Sequence, residues 1–349
     1  MDDPFLKNLS CPISIEKYPN ITLAHGGGGR MSDTLIRELF HSAFANEVIL
    51  KHCDSAVVTL PRKNIAMTTD SYVVSPLFFP GGDIGKIAVH GTINDLAMSG
   101  ARPLYISAAF ILEEGFPIEK LWKIVLSMKQ AADESEVQII AGDTKVVDKG
   151  KCDGVFITTT GVGVIEHNLD ISPKSIAVGD TILLSGDIGR HGIAIISARE
   201  ELDMSSTIES DSAPLWAAVC EMLQAGINIH CLRDLTRGGL ASALVEIAET
   251  SKLHFNVKER EIQVHEKVRG VSEFLGFDPL HIANEGRFIA IVAPKDSNKA
   301  LEILRAYNAA ANTIGHIDKK SPRRVTLETV VGTRRIVDML SGEQLPRIC

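Results

Sequence analysis

The hydrophobic pattern breaks between Glu166 and Gly179, and this break constrains the fold more than any other feature of the sequence. Strand-like and helical patterns run from Ile65 to Ile165, and they restart with an apolar strand at Thr181. The segment between them is polar and contains Pro173, which is typical of a connection. A chain of 349 residues with 45% hydrophobic residues can bury two cores of this size. The sequence therefore predicts two domains that meet at this segment.

The spacing of apolar residues predicts a mixture of strands and helices on both sides of the break. In the first block we expect strands at Ile65–Val74, Leu104–Leu112, Val137–Ala141 and Gly154–Ile165, and helices at Asp83–Gly100 and Ile118–Glu134. In the second we expect strands at Thr181–Ser185, Phe288–Val292, Thr313–Ile317 and Arg324–Leu327, and helices at Gly189–Arg199, Ala213–Ala225, Gly238–Thr250, Val264–Leu275 and Asp296–Ala310. Because the two kinds of element do not alternate strictly, the pattern favours an α+β fold over a doubly wound sheet.

Charge and composition exclude several classes of protein. The net charge is −8 and no basic run is longer than a pair, so nucleic acid is not an expected partner. No stretch approaches the ~18 apolar residues of a membrane helix, and the start of the chain has no signal-peptide pattern. We therefore expect a cytoplasmic protein that does not enter a membrane. The six cysteines form no CxxC pair, which predicts free thiols rather than structural zinc.

A run of four glycines, from Gly26 to Gly29, precedes a predicted helix start. Without side chains, its backbone N–H groups can approach a phosphate closely. The run matches neither the GxGxxG fingerprint nor a GxxxxGK[ST] phosphate loop. On its own it therefore suits a mobile loop at least as well as a phosphate site.

Four carboxylates of the first block stand where a predicted strand or helix meets a turn: Asp54, Asp70, Asp95 and Asp143. Together they would supply the hard oxygen ligands that magnesium prefers, and magnesium commonly holds a triphosphate. Each aspartate alone is also explained by its local preference for turns and helix starts. Asp70 and Asp143 are the more suggestive pair because both follow apolar strands.

Three further segments carry polar groups that suit a reaction site. Lys145 follows Asp143 and would neutralise phosphate charge, or it is an ordinary surface lysine. The turns Ser185–Gly192 and Asp234–Gly239 each lead into a helix, as an anion site or as a plain capped turn. Glu285 precedes an apolar strand; it would act as a base if desolvated, although a solvated charge is the simpler interpretation.

The sequence ends on Cys349, after Pro346-Arg347-Ile348. Chain ends are usually mobile, and an exposed thiol is prone to oxidation. The simplest interpretation is a cysteine without a role. The alternative is a tethered arm whose thiol carries a group into a site, while Pro346 limits the flexibility of the tail.

Taken in order, these segments resemble the carbamoyl dehydratases of hydrogenase maturation, which belong to the aminoimidazole ribonucleotide synthetase-like family of ATP enzymes. The resemblance covers Ile21 to Cys349. The residues that carry it are Ala24–Gly29, Thr69–Val73, Pro80–Lys86, Gly91–Asp95, Phe110–Gly115, Gly142–Val147, Thr236–Gly239, Ala283–Gly286 and Pro346–Cys349.

The resemblance implies an α+β subunit of two domains that forms a homodimer. Residues 21–166 would bind ATP and pair with the second copy in a dimer barrel, and residues 178–335 would form a C-terminal α/β sandwich. Residues 336–349 would be a mobile tail, and residues 1–20 an extension without an assigned role.

The resemblance also implies the chemistry. Cys349 would receive a carbamoyl group from the carbamoyltransferase HypF, the group would be dehydrated to a thiocyanate, and the cyanide would pass to a HypC–HypD complex that builds the iron centre of [NiFe] hydrogenase. Magnesium would be held by Asp54, Asp70, Asp95 and Asp143. ATP would also contact Gly26, Gly27, Gly28, Asn94, Thr144 and Lys145. Glu285 would be the base, with Lys145 or His191 as substitutes.

Two other interpretations remain open at this point. One is an enzyme of the same family that acts on a diffusible substrate, such as a selenophosphate synthetase or an aminoimidazole ribonucleotide synthetase. The first of these two is disfavoured because no reactive cysteine lies near the glycine run. A nucleotide-binding scaffold without activity is disfavoured because all the metal carboxylates are present.

Overall fold

The computed structural model describes residues 29–34, 56–59, 64–200, 207–319, 324–342 and 348. The first part of the chain forms a five-stranded sheet in the order β1-β2-β7-β5-β6. Its elements are α1 (Arg30–Thr34), β1 (Ala56–Thr59), β2 (Asn64–Tyr72), β3 (Phe78–Phe79), β4 (Gly82–Asp83), α2 (Ile84–Met98), β5 (Ala101–Glu113), α3 (Ile118–Glu134), β6 (Gln138–Val147) and β7 (Val155–Ile165). Strands β3 and β4 pair separately as a short ribbon.

Helix α2 lies against one face of this sheet and is buried along nearly its whole length. Its start is fixed by Asp83, whose Oδ1 accepts hydrogen bonds from the Gly85 and Lys86 amides at 2.7 and 3.1 Å, as expected of an N-cap aspartate. Helix α3 packs beside α2 through Ile124 and Met128, which are fully or almost fully buried. Among the described residues the helices therefore cover one face only, and the other face of the sheet is open.

The second part of the chain forms a seven-stranded sheet in the order β14-β13-β10-β12-β8-β11-β9. Its elements are β8 (Thr181–Leu184), α4 (Arg190–Arg199), α5 (Trp216–Gln224), β9 (Ile229–Asp234), α6 (Gly239–Ser251), β10 (His254–Lys258), α7 (Glu266–Leu275), β11 (Phe288–Val292), α8 (Ser297–Tyr307), β12 (Asn312–Asp318), β13 (Val325–Glu328) and β14 (Arg334–Val337). All five residues of β11 are buried. Apolar clusters occupy both faces of this sheet.

The two sheets are joined by a shared core as well as by the connecting segment. Ala97 and Met98 at the end of α2 pack in one apolar cluster with Leu183 of β8 and Phe288 of β11. Helix α2 also contacts α5 and β9. The helix of the first domain is thus also a packing surface for the second.

The order and type of the longer elements follow the sequence pattern, but several details differ from it. Six strands were not expected: β1, β3, β4, β9, β10 and β14. Strand β6 runs on through Val147, six residues beyond the predicted end, because it pairs with β5 in parallel up to Glu113. As a result Asp143 lies inside a strand, as Asp70 does, and Asp95 lies inside α2; the prediction that these residues stand at turns was wrong.

In the part of the chain that the structure describes, no helix is both long and apolar enough to cross a membrane. The described cysteines are Cys152, Cys220 and Cys231, all of them free thiols. Cys231 is buried, whereas Cys152 and Cys220 are partly exposed.

Candidate functional site

A group of polar side chains lies where α2 covers β2. Tyr72 is almost fully buried, and its hydroxyl donates to Asp70 Oδ2 at 3.2 Å. The same hydroxyl lies 3.3 Å from Thr92 Oγ1 of α2. Asp95, one turn further along the helix, accepts a 2.6 Å hydrogen bond from the Thr68 hydroxyl. Strand β2 and helix α2 therefore bring Asp70 and Asp95 to the same side of the sheet, close to Tyr72.

The electrostatics of this group are those of buried acids close together. Burial raises the pKa of Asp70, which the Arg237 guanidinium partly offsets. Burial is also the main reason that the pKa of Tyr72 is well above its ordinary value, and the charges of Asp70, Glu285 and Asp95 add to the effect. A cation at this position would relieve the repulsion among the carboxylates.

Glu285 belongs to the same region although it comes from the second domain. Its side chain is 3% exposed, and Oε1 has no hydrogen-bond partner among the described residues. Burial raises its pKa well above the usual value for glutamate, with further contributions from Asp234, Asp211 and Asp70. The solvated-charge interpretation of Glu285 was therefore wrong. A desolvated carboxyl with an unpaired oxygen is a strong base once ionised.

The backbone around Glu285 is held by a segment that the sequence did not single out, Ser210–Leu215, which we call the clasp. The two carboxylate oxygens of Asp211 accept from the amides of Glu285 and Gly286, both at 3.3 Å. Gly286 has to be glycine, because a Cβ there would lie 1.9 Å from the Asp211 carbonyl oxygen. The base is thus fixed through its main chain.

Asn94 connects this clasp to α2. Its amide nitrogen donates to the Ala213 carbonyl at 3.0 Å, and its amide oxygen accepts from the Leu215 backbone N–H at 2.8 Å. The nitrogen also lies 3.4 Å from the Glu285 carbonyl oxygen. Both ends of the amide are therefore occupied by the protein. In this arrangement Asn94 joins the two domains, and the nucleotide contact predicted from the sequence would have to use the second acceptor position of its amide oxygen.

His191 contacts the other end of the clasp and also the end of the chain. Its Nδ1 lies 2.8 Å from Ser210 Oγ, and its Nε2 lies 2.5 Å from the carbonyl oxygen of Ile348. Ile348 is 8% exposed and packs in the apolar cluster of the first domain. Both ring nitrogens are occupied, so His191 is not placed to act as the substitute base.

The four predicted metal carboxylates are not brought together in one chain. Asp70 pairs with Thr159 of β7, Thr159 with Ala108 of β5, and Ala108 with Gly142 of β6, beside Asp143. Three strand spacings separate the backbones of Asp70 and Asp143 by roughly 14 Å, whereas magnesium binds oxygen at about 2 Å. One ion therefore cannot bridge both.

Several predicted residues lie wholly or partly outside the described part of the chain. Asp54, Gly26, Gly27, Gly28 and Cys349 lie outside it, as do the side chains of Asp143 and Thr144. Among the described residues no group of three or more His, Cys, Asp or Glu side chains is arranged to hold a metal ion.

Lys145 is exposed and lies on β6, an edge strand of the first sheet. Its register partner is Ile111, which is 41% exposed on the open face. The strand order therefore separates Lys145 from Asp70, just as it separates Asp143 from Asp70. In a single chain Lys145 also lies away from Glu285.

The turn from Ser185 to Gly192 is a capped turn rather than an anion site. Asn284 Oδ1 accepts from the Gly189 amide at 2.7 Å, which satisfies the start of α4. The Asp187 carboxylate accepts from Arg190 and, at 2.8 Å, from Arg287. The second turn, by contrast, supplies Arg237 and Asp234, which act on Asp70 and Glu285.

Gly29, the last glycine of the run, and Arg30 lie against Asp338 and Leu340, shortly before the end of the chain. Arg30 N–H donates to the Leu340 carbonyl at 2.6 Å, and the Arg30 guanidinium pairs with Asp338 at 2.6 Å. A Cβ on Gly29 would lie 2.5 Å from that same Leu340 oxygen. The segment that follows the predicted phosphate loop is therefore packed against the segment that leads to Cys349.

Family models match most of the chain. Residues 52–165 match the N-terminal domain of AIR synthase related proteins, and residues 177–328 match the C-terminal domain of the same family.

Curated proteins and solved structures give a narrower assignment. The carbamoyl dehydratase HypE of Azotobacter vinelandii is 52% identical over 332 residues, which is 95% of this chain and 97% of that protein. A solved HypE–HypF complex contains a chain that is 48% identical and has a TM-score of 0.83, covering 88% of this chain and 99% of its own. A HypE structure in complex with ATP is 45% identical with a TM-score of 0.80, covering 95% of this chain and 100% of its own. The chain therefore belongs to the AIR synthase related family and, within it, to the family of HypE carbamoyl dehydratases.

Proposed function

We propose that the protein is an ATP-dependent carbamoyl dehydratase that converts a carbamoyl group on the sulfur of Cys349 into a thiocyanate. The product supplies the cyanide ligand of the iron centre in [NiFe] hydrogenase. One observation carries the proposal: adjacent residues of the clasp hold the two reaction partners. Asp211 binds the backbone of the buried Glu285, and Ser210 binds His191, which binds the end of the chain at Ile348.

Residues on the α2 side of the first sheet fit magnesium and ATP. Asp70 and Asp95 offer hard oxygen ligands beside Tyr72, and repulsion among the buried acids favours a cation there. Asp54 is proposed to complete this ligand set, with the glycine run from Gly26 to Gly28 at the phosphates. Asp143 and Thr144 are too far away in the same chain and are proposed to join the set from the second copy of the dimer described below. Bound together, ATP and magnesium supply the phosphoryl group that turns the carbamoyl oxygen into a good leaving group.

When the carbamoyl oxygen is phosphorylated, the nitrogen loses one proton to solvent and forms a double bond to carbon. Glu285 then removes the second proton from that nitrogen. The N–H electron pair forms the third carbon–nitrogen bond, the carbon–oxygen bond breaks, and phosphate leaves with that oxygen. The raised pKa of Glu285 makes its carboxylate a better proton acceptor than a solvated glutamate. Burial also keeps water away from the reacting carbon. Lys145 is proposed to stabilise charge on the phosphoryl group.

The placement of Lys145 supports a homodimer. The open face of the first sheet carries exposed apolar residues, including Met67, Tyr105 and Ile111, which are 49%, 42% and 41% exposed. We propose that a second copy packs on this face in a dimer barrel, so that Lys145 comes to lie at the subunit interface. Ile111→Asp should produce monomers in sedimentation velocity and lose activity, whereas the exposed Phe274→Asp on the second domain should remain a dimer.

The partners follow from the chemistry of the arm. The carbamoyl group must arrive on Cys349 from a carbamoyltransferase, proposed to be HypF, and the HypE–HypF complex of the 48% identical relative supports this assignment. The nitrile must leave to a metal-assembly acceptor, proposed to be the HypC–HypD complex. The predicted start of the mobile tail at residue 336 is too early, because β14 ends at Val337 and the Leu340 carbonyl accepts from Arg30 N–H. For both transfers residues 343–349 are therefore proposed to leave the protein surface and to return for dehydration.

Mass spectrometry of the C-terminal peptide tests the proposal. The protein is incubated with HypF, carbamoyl phosphate and ATP, and Cys349 should first gain a carbamoyl group and then lose the mass of one water. Cys349→Ala should abolish both changes while ATP binding persists, and Cys220→Ala is the matched control. A carbamoylated peptide that never loses water in the wild type would identify a carrier or scaffold instead.

A further inference from the structure

Buried His191 makes a directional hydrogen bond to the end of the chain. The carbonyl of Ile348 can only accept, so Nε2 of the ring carries the hydrogen. A neutral imidazole then has Nδ1 as an acceptor, and the Ser210 hydroxyl must donate to it. The Ser210 oxygen itself accepts from the Ser212 N–H at 3.2 Å. This chain of bonds selects one tautomer of His191.

The surroundings of the ring keep it in that state. His191 is completely buried, and burial lowers its pKa below the ordinary value for histidine. The Phe79 ring contacts it edge to face, with centroids 5.5 Å apart and planes at 85°. The ring therefore has little freedom to turn away from the Ile348 carbonyl.

The bonded carbonyl is the one joined to the nitrogen of Cys349. From that carbonyl carbon the sulfur is four bonds away, a reach of roughly 5 Å. Holding this carbonyl therefore confines the thiol to a small volume. The Ile348 side chain adds hydrophobic packing, which does not fix an orientation. Apolar packing alone would let the final residue rotate. The hydrogen bond fixes the direction of the Ile348 carbonyl.

We propose that His191, oriented by Ser210, is the positioning residue that captures the tail and presents Cys349 for dehydration. The inference rests on the proposed function for its purpose, but the capture itself is a property of the protein without ATP or carbamoyl group. Ser210 is adjacent to Asp211, which binds the backbone of Glu285. The clasp therefore positions both the tail, through His191, and the proposed base Glu285.

Capture is measured as the rate at which iodoacetamide alkylates Cys349 in the full-length protein, followed by mass spectrometry of the C-terminal peptide. His191→Leu removes the donor and should accelerate alkylation about fivefold, the factor that corresponds to a hydrogen bond of about 1 kcal/mol. His191→Gln places an amide N–H near the position of Nε2 and should stay within about twofold of wild type. Ser210→Ala should accelerate alkylation about threefold because the selected tautomer is lost.

Two outcomes would overturn the proposal: alkylation of His191→Leu at the wild-type rate, or acceleration of His191→Gln to the rate of His191→Leu, which would indicate a packing role only. If His191→Leu does not fold, the Ser210→Ala variant decides instead: alkylation of its Cys349 at the wild-type rate would overturn the proposal.

Single-turnover dehydration separates this inference from the proposed function. In His191→Leu the rate should fall about fivefold with an unchanged KM for ATP, and His191→Gln should restore it. If wild-type protein never forms the nitrile, the proposed function fails, whereas the alkylation result still decides whether His191 captures the tail.

Discussion

Replacing Glu285 by glutamine tests the base directly, because the substitution keeps the shape of the side chain and removes its ability to accept a proton. General-base catalysis contributes about 10²- to 10⁴-fold, so dehydration in Glu285→Gln should fall by that factor, or about 3–5 kcal/mol of barrier. The carboxyl is buried and its pKa is raised, so burial favours its neutral form, which glutamine resembles. The free energy of unfolding should consequently change by less than about 1 kcal/mol.

The pH dependence gives an independent signature. The raised pKa means that the active carboxylate is lost as the pH falls, so the wild-type rate should decrease about tenfold per pH unit below that pKa. The slope should disappear in Glu285→Gln. The assay is single-turnover loss of water from carbamoylated protein between pH 5 and 9, with urea unfolding in parallel. Glu246→Gln is the control, since Glu246 pairs with Arg233 at 2.7 Å on another part of the second domain. A wild-type rate in Glu285→Gln with normal magnesium-ATP binding would refute the assignment.

Three stability predictions follow from single contacts and are checked by urea unfolding. Gly91→Ala should destabilise by about 1 kcal/mol, because overpacking at a Cβ 2.3 Å from the Tyr72 hydroxyl outweighs the gain in helix propensity; an increase in stability would contradict that contact. Gly270→Ala, on a helix with open space at that position, should instead stabilise by up to about 1 kcal/mol, and a loss would show that the site is not open. Buried His90 has a pKa lowered from 6.5 to about 3, so its contribution is complete above pH 6.5 and is lost as the pH falls towards 3. Between pH 7 and 5 this should cost about 2 kcal/mol; His90→Gln should lack this part of the decrease, and equal losses in both proteins would contradict it.

The regular elements could be predicted because their apolar spacing is local information. Helix Ile118–Glu134 has the predicted ends, and strand Phe288–Val292 is a continuous apolar run. Strands such as His254–Lys258 were missed because their pattern is short and polar at alternate positions, and their pairing partners are remote in sequence. The length of β6 was misjudged for the same reason, since its second half is held by β5.

The candidate site was predictable in its residues but not in its grouping. Asp70, Asp95 and Glu285 were recognised from ordered motifs, and the structure brings them near Tyr72. Separation of Asp143 and Lys145 from that group depends on strand order, which no spacing along the chain encodes. The burial of Glu285 depends on Asp211 and Asn94, contributed from distant positions. Ser210 gave no signal because one serine in a polar stretch resembles any other.

The hydrogen bonds between α2 and the clasp determine which parts of the molecule can move. Opening the two domains like a hinge would strip Asn94 of its partners at Ala213 and Leu215 and would part His90 from Ser212, at 3.1 Å. Each buried group left unpaired costs about 1–3 kcal/mol. Such an opening would therefore be rare on the time scale of turnover. The two domains therefore behave as one rigid frame, held where α2 meets the clasp.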